Sequence, residues 1–470
     1  MKHQVPVEKG KTYELQIHTL GTSGEGVGRK DDFTVFVPGA LPGETVRAAI
    51  DDVKKSYARG HVVEILKASR DRVAPPCPIY ADCGGCQLMH MDYMAQLRAK
   101  RQQVIDAVTR IGKQKGLNVL PTIGAATPWN YRNKMQFPIG RDKGHTVIGC
   151  FAQGSHRIID TTDCRIQRQG NNDIVNAVRD IVEKLGIPVY HEDRHTGVLR
   201  HVVGRVGLDG DMVVLVTAME KLPHERELVK LLRARLPRVL SIHQNIQTYR
   251  NNVILGRETR LLWGRPTILD KIGRLKFHIS PRSFFQVNSQ QAEVLYGKAL
   301  EFANLTGDET VIDAYCGTGT ITLFLAQKAR QVYGIEIVKP AIQDAKKNAR
   351  DNGVKNAEFI VGDATAVMPR LYHQGIRADV VVVDPPRAGC TPVVLETFAN
   401  MHPDRIVYVS CNPASLARDL AILDGLGYHA EKIQPVDMFP MTSHVEVCLE
   451  LVRADLLEKE KAEKAKKEKK

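Results

Sequence analysis

A chain of 470 residues, 43% of them hydrophobic, is long enough for two or three packed cores, which excludes a disordered or peptide-sized product. Its formal net charge of +13 and pI near 9.2 call for a polyanionic partner, nucleic acid foremost. No stretch approaches the roughly 18 apolar residues of a membrane span, and Met1 to Lys11 lacks the apolar core of a leader, so a cytoplasmic, membrane-free monomer is expected.

From Lys11 to Ala68 short alternating runs, Tyr13 to Ile17, Thr34 to Val37, Thr45 to Ile50 and Gly60 to Leu66, are separated by glycine-rich turns such as Gly21 to Gly28. That texture predicts a small five-stranded barrel. Lys54, Lys55, Tyr57 and Arg59 place basic and aromatic groups beside one hairpin, the combination with which a barrel meets single-stranded nucleic acid. Next come Cys77, Cys83 and Cys86, with five and then two residues between them, in a loop too rich in Pro and Gly to be helical. Nine cysteines at uneven spacings in a reducing compartment point to ligands or chemistry more than to disulfides. Three thiols this close suit zinc or an iron–sulfur cluster, and spacing alone does not choose. Cys150, at the end of an apolar run, and Cys164, in a polar turn, are the nearest candidates for a fourth ligand.

Met91 to Ile111 has helical spacing, with Leu97, Val104, Ile105 and Val108 on one face. From Thr122 to about Gly273 the pattern is mostly β. Within it Tyr131-Arg132-Asn133-Lys134 sets an aromatic and two cations at a strand start, equally consistent with an exposed basic strand and with an RNA contact.

From Arg274 strand and helix alternate, which predicts a parallel sheet. Val311 to Thr320 runs from a strand into a glycine loop and a helix over Ile321 to Lys328, and a second strand ends in Glu336, about 23 residues after Asp313. Glycines there let backbone approach a ligand, and Glu336 can accept both ribose hydroxyls. The loop lacks the third glycine of a dinucleotide site and the Lys-Ser/Thr of a triphosphate site, which favours S-adenosylmethionine. Asp363 ends a third strand, suited to an adenine amino group, and Asp384-Pro385-Pro386-Arg387 ends a fourth. Amino-group methyltransferases follow Asp-Pro-Pro with an aromatic clamp; Arg387 here demotes that alternative. One strand later Ile406 to Pro413 delivers Cys411 to the same sheet edge. A thiolate adding to C6 of uracil makes C5 nucleophilic toward a sulfonium methyl group. A base must then remove the C5 proton, and Glu446, embedded in an apolar strand, is the candidate, with His444 the alternative. Cys316, Cys390 and Cys448 read as packing residues.

With Ser283-Phe284-Phe285-Gln286-Val287-Asn288, Asp313 to Thr320, Asp384 to Gly389 and Ser410-Cys411-Asn412-Pro413 assembled, the chain resembles the RNA uracil-C5 methyltransferase family over nearly its full length. The resemblance implies an α/β chain with a TRAM-like barrel over 1–70, a central RNA-binding domain with the cysteine cluster over 71–272 and a Rossmann-like methyltransferase domain over 273–453; the basic tail over 454–470 is outside the family pattern and is expected to be disordered. It implies Cys411 as nucleophile, Glu446 as base, and cofactor contacts from Gln286, Tyr315, Glu336 and Asp384. It also implies a [4Fe-4S] cluster on Cys77, Cys83, Cys86 and Cys164, 23S rRNA in preference to tRNA as substrate, and packing of the Met91–Ile111 helix on the catalytic domain. Phe284-Phe285-Gln286 by itself looks like an aromatic core strand. Thr320 and Tyr315 stand where some members carry Asn and Phe.

Overall fold

The structure, a computed structural model, describes residues 5–459. Strands β1 (Thr12–Leu20), β2 (Gly26–Lys30), β3 (Phe33–Val37), β4 (Thr45–Val53) and β5 (Tyr57–Lys67) close into a barrel in the order β1-β2-β3-β5-β4. Its core is the alternating set Leu15, Ile17, Val35, Val37, Val46 and Ala48, each at most 1% exposed. Strand β2 lies largely within the stretch expected to be a turn. Its glycines serve close packing instead: a Cβ on Gly26 would meet the Ala40 carbonyl oxygen at 2.7 Å, and one on Gly28 the Gln16 oxygen at 3.0 Å.

Helix α1 (Tyr93–Arg110) follows, capped by Asp92, whose side chain accepts from the backbone of Met94 and Ala95. The central sheet is built from β6 (Lys134–Asp142), β7 (His145–Phe151), β8 (Ile158–Asp160), β9 (Leu199–Val206), β10 (Asp211–Thr217), β11 (Val239–Ile246) and β12 (Glu258–Gly264), ordered β12-β11-β10-β9-β6-β7-β8. It is less purely β than expected, because α2 (Gln169–Leu185) and α3 (Glu225–Arg235) cover one face. Ile174, Val178 and Ile181, at helical spacing, and Leu228 and Leu232 pack there on Phe137, Val202 and Val213.

The opposite face, with Val203, Met212, Val214 and Val216, shares one core with the hairpin β13 (Ile268–Ile272) and β14 (Leu275–Ile279) and with the catalytic helices. The expected boundary at residue 273 thus falls in the turn of a hairpin, Gly273 having φ +58°.

The last sheet contains β15 (Thr310–Asp313), β16 (Gln331–Glu336), β17 (Ala357–Val361), β18 (Val380–Val383), β19 (Arg405–Ser410), β20 (Tyr428–Val436) and β21 (Glu446–Arg453). Its order is β17-β16-β15-β18-β19-β21-β20, with β21 antiparallel to both neighbours and the first five strands parallel. The four valines of β18 are buried on both faces, as a central parallel strand requires. Helices α4 (Ser289–Ala303), α5 (Thr320–Ala326) and α6 (Lys339–Asp351) pack on one side, and α7 (Ala364–His373), α8 (Pro392–Asn400) and α9 (Pro413–Gly425) on the other. The tail expected to be disordered from residue 454 begins as a helical turn over 454–459, tied by the Ala454 N–H to the Gly427 carbonyl (2.9 Å) and by buried Leu457; the rest of that expectation lies outside the described residues.

As anticipated, α1 docks on the catalytic domain: Val104 and Val108 join the core of α7 to α9. Polar contacts fix the same joint. Lys100, 1% exposed, donates from Nζ to Asp437 Oδ1 (2.6 Å) and to the Phe439 carbonyl (3.1 Å), while the Tyr93 hydroxyl donates to Asp437 Oδ2 (2.9 Å). Removing one partner strands the other in a low-dielectric site, so Lys100→Ala is expected to cost about 3–5 kcal/mol in urea unfolding. A loss below about 1 kcal/mol, the level of an exposed pair, would contradict this account of the joint.

Candidate active site

Parallel strands β15 to β19 all end at one edge of the last sheet, and the turns after them hold most of the residues singled out above. Ser410, buried, closes β19; Cys411 occupies the turn; Asn412 caps α9 by accepting from Ala414 N (3.1 Å), and Pro413 opens the helix. Asn412 also donates from Nδ2 to the Arg387 carbonyl (3.0 Å), so the cysteine turn and the Asp384–Arg387 turn are locked together.

A cavity of about 780 Å³ opens beside them. Cys411, Asp384, Arg387, His444, Glu446 and Gln286 line it on the catalytic side. Cys77, Cys83, Cys86, Cys150 and Cys164 line it on the other. Glu446 is 6% exposed and has no cation bound to it among the described residues. Burial first, then repulsion from Asp384, pushes its carboxyl well above the usual carboxylate range, with Arg387 opposing. Asp384 is pushed up to about 7 by burial and by Asp313, itself pushed up to about 6 chiefly by burial. Burial also raises the Cys411 thiol, reinforced by Glu446 and Asp384, while Arg387 pulls it down. Arg387, noted in the sequence only for the aromatic it replaces, is thus the cation that favours a thiolate. It also bonds His444 Nδ1 (3.1 Å), whose imidazole burial and neighbouring cations hold down at about 4, hence neutral.

Gln286 sits beside Tyr296, which reaches Thr320 Oγ1 at 3.4 Å. The segment carrying it is a loop and not the aromatic strand expected from its sequence: Phe285 is buried, but Phe284 is 72% exposed at the cavity wall. Tyr315, Glu336 and Asp363 lie farther along the sheet edge, outside that lining. Glu336 accepts from the glycine loop at Gly317 N (3.3 Å) and from Val338 N (2.8 Å). Asp363 caps α7, its Oδ1 accepting from Thr365 N (2.8 Å). Cys316, Cys390 and Cys448 are buried, as expected of packing residues.

The five thiols are free and clustered, yet no three His, Cys, Asp or Glu side chains among the described residues are arranged as a single-ion site. The donor set is all sulfur, and Gly85 leaves it open. A Cβ there would lie 3.3 Å from Cys150 Sγ and 3.4 Å from Cys83 Sγ. Cys150, which looked like a strand cysteine although it was a candidate fourth ligand, belongs to this group through its contact with Cys83.

A family described as tRNA (Uracil-5-)-methyltransferase matches residues 93–454, and the TRAM domain matches residues 6–63. An uncharacterized RNA methyltransferase of Halalkalibacterium halodurans is 54% identical over 447 residues, covering 95% of this chain and 98% of the relative. Another from Clostridium tetani is 51% identical over 451 residues, 96% and 98% of the two chains. The crystal structure of Pyrococcus abyssi tRNA (uracil-54, C5)-methyltransferase in complex with S-adenosyl-L-homocysteine has a TM-score of 0.75 at 29% identity, covering 93% of this chain and 99% of that one. No helix among the described residues is long and apolar enough to cross a membrane.

Because Asp384 and Asp313 sit above unfolded carboxylate values, the folded chain holds extra protons between about pH 4 and about pH 7, and stability falls as pH rises through that window. Melting temperatures of the ligand-free protein should therefore drop from about pH 5 to about pH 8, and Asp384→Asn should flatten the drop and melt above wild type at the upper end. An unchanged pH slope in Asp384→Asn would refute the assignment.

Proposed function

Because the chain belongs to the tRNA (uracil-5-)-methyltransferase family and carries a TRAM domain, we propose that it transfers the methyl group of S-adenosylmethionine to C5 of a uridine in 23S rRNA through a bond between Cys411 Sγ and uracil C6. The observation that carries the reading is the convergence of Cys411, Arg387, Asp384, Glu446 and Gln286 on one cavity large enough for a flipped base.

Arg387 stabilises the Cys411 thiolate, which adds to C6 and shifts the C5–C6 electron pair toward an enolate. The cofactor supplies the electrophilic methyl carbon that C5 attacks, its sulfonium charge ending as a neutral thioether. Glu446, whose raised affinity for a proton suits the step, takes the C5 proton, and the C5–H bond pair forms the C5–C6 double bond while the C6–S bond breaks and Cys411 leaves as the thiolate. On the cofactor side, Glu336 is assigned the ribose hydroxyls, Asp363 the adenine edge, and Tyr315, Gln286 and Asp384 the remaining contacts. The aromatic clamp of amino-group methyltransferases is absent at Arg387.

Cys77, Cys83, Cys86 and Cys164 are proposed to hold a [4Fe-4S] cluster that shapes the RNA-binding wall. Its support is the clustered, all-thiol donor set. Anaerobically purified protein should contain iron and acid-labile sulfide, which Cys164→Ala loses and Cys150→Ala keeps. Zinc in their place, or retention in Cys164→Ala, would reverse the assignment.

The 23S rRNA reading leans on the barrel and the thiols together. A tRNA substrate is the second reading, because the Pyrococcus abyssi enzyme named for tRNA aligns over 93% of this chain. With 5-fluorouridine RNA and cofactor, wild type should trap a covalent complex and Cys411→Ala none, while Glu446→Gln should accumulate adduct on normal RNA and turn over about 10²–10⁴-fold more slowly. Ribosomal RNA from a strain lacking the gene should miss a 5-methyluridine restored by wild type only. A methyl group on a base nitrogen, or a loss confined to tRNA, would overturn the chemistry or the substrate respectively.

A further inference from the structure

Arg132 lines the catalytic cavity, Lys134 and Arg205 follow it on the paired strands β6 and β9, and none of the three forms an ion pair with a carboxylate among the described residues. Lys134 and Arg205 are directly opposed across the antiparallel β6–β9 pair, so their side chains leave the sheet on the same face. The other face of β6 carries Met135 and Phe137 into the α2–α3 core. On the cationic face Lys134 is flanked by Arg132 and Gln136, and both line the cavity that holds Cys411.

The burial of this group is what sets it apart from an ordinary basic surface. Arg205 is 3% exposed; its Nη2 donates to the Ser283 carbonyl (2.5 Å), and its Nε has no partner. The Lys134 ammonium has no hydrogen bond or ion pair among the described residues. Burial, then Arg205 and Arg132, bring its ammonium down to about 7, with no acid nearby to offset them. Packing three cations together without a counter-charge disfavours the free protein, and an arriving anion would relieve it. The same segment is stitched to the Gln286 loop through Asn133, whose N–H donates to the Val287 carbonyl (2.8 Å) and whose Nδ2 donates to the Gln286 carbonyl (3.0 Å).

We propose that Arg132, Lys134 and Arg205 form a phosphate site that grips the RNA phosphodiester flanking the uridine that enters the catalytic cavity. The guanidinium groups supply planar forks and the lysine a point charge, the combination suited to a non-bridging oxygen pair. The position of the strand rests on the uridine-C5 reading, whereas the affinity of the site for a phosphodiester does not.

The test uses the full-length protein and a short oligoadenylate bearing a single uridine, with binding measured across a series of potassium chloride concentrations. Removing one phosphate contact to single-stranded RNA should flatten the slope of log K against log salt by about 0.7. Lys134→Met should show that flattening and bind more weakly at low salt, yet melt above wild type without RNA and bind S-adenosylmethionine as wild type does. Lys134→Arg should restore the slope, and Arg132→Gln, at a less buried position, should flatten it independently. A methylphosphonate linkage beside the uridine should weaken binding to wild type more than binding to Lys134→Met, which has already lost one of the three cations. Wild-type slope in both neutral variants would overturn the proposal, as would weaker binding with an unchanged slope, which marks a packing defect. If the slopes change as expected while no 5-methyluridine forms, the phosphate site stands and the methylation reading falls.

Discussion

The ion pair between Lys100 and Asp437, sealed from water by α1, sets the course of the chain between β20 and β21. That segment must leave one edge strand and return as β21 with Glu446 at its first position, facing the cavity. Asp437 orders its beginning, accepting also from Phe439 N (3.2 Å). Its middle is forced into the left-handed region at Met441 (φ +69°), a conformation costly for a side-chain-bearing residue and held by its surroundings. The Met441 carbonyl accepts from the backbone of Gln87 and Leu88, its N–H donates to Gln96 Oε1, and the Tyr131 hydroxyl donates to Pro440 O. The loop after Cys86 and the loop before Glu446 therefore share a single backbone carbonyl, so thiol cluster and catalytic edge form one mechanical unit.

Two opposite electrostatic characters face each other across that unit. Along the sheet edge Glu336, Asp313, Asp384 and Glu446 succeed one another, none in an ion pair among the described residues, and each raises the proton affinity of a neighbour. A cationic sulfonium ligand is what such a row attracts, and its arrival would lower the cost of a thiolate at Cys411. On the central-sheet side the uncompensated groups are cations: Arg132 lines the cavity, and Lys134 and Arg205 follow it on the paired strands β6 and β9. Binding a positive cofactor and a negative strand together would relieve the uncompensated groups on both sides.

Most of the architecture was legible because the signals were local. The barrel strands alternate, β15 to β19 are short apolar runs ended by polar turns, and Ser410 to Pro413 encodes a strand end, a cap and a helix start in four residues. What escaped was governed by neighbours far away in sequence. Gly26 and Gly28 look like turn residues because glycine's usual reason is conformational, whereas here it is the approach of Ala40 and Gln16. Helices α2 and α3 were hidden by flanking β-runs although their apolar spacing was present. Phe284 and Phe285 are chemically alike and adjacent, and only the loop path exposes one and buries the other.

By itself the sequence determined the family, the chemistry available to a cysteine beside a cofactor loop, and the edge at which both stand, since motif order along a parallel sheet leaves little freedom in where strand ends meet. Tertiary structure alone decided that Arg387 lies against Cys411, that Lys100 is the counter-charge of Asp437, and that Lys134 and Arg205 face each other without an acid. Each of these is a meeting of side chains brought by separate elements. Their energies depend on burial and on which partner is missing, quantities that exist only once the elements have packed.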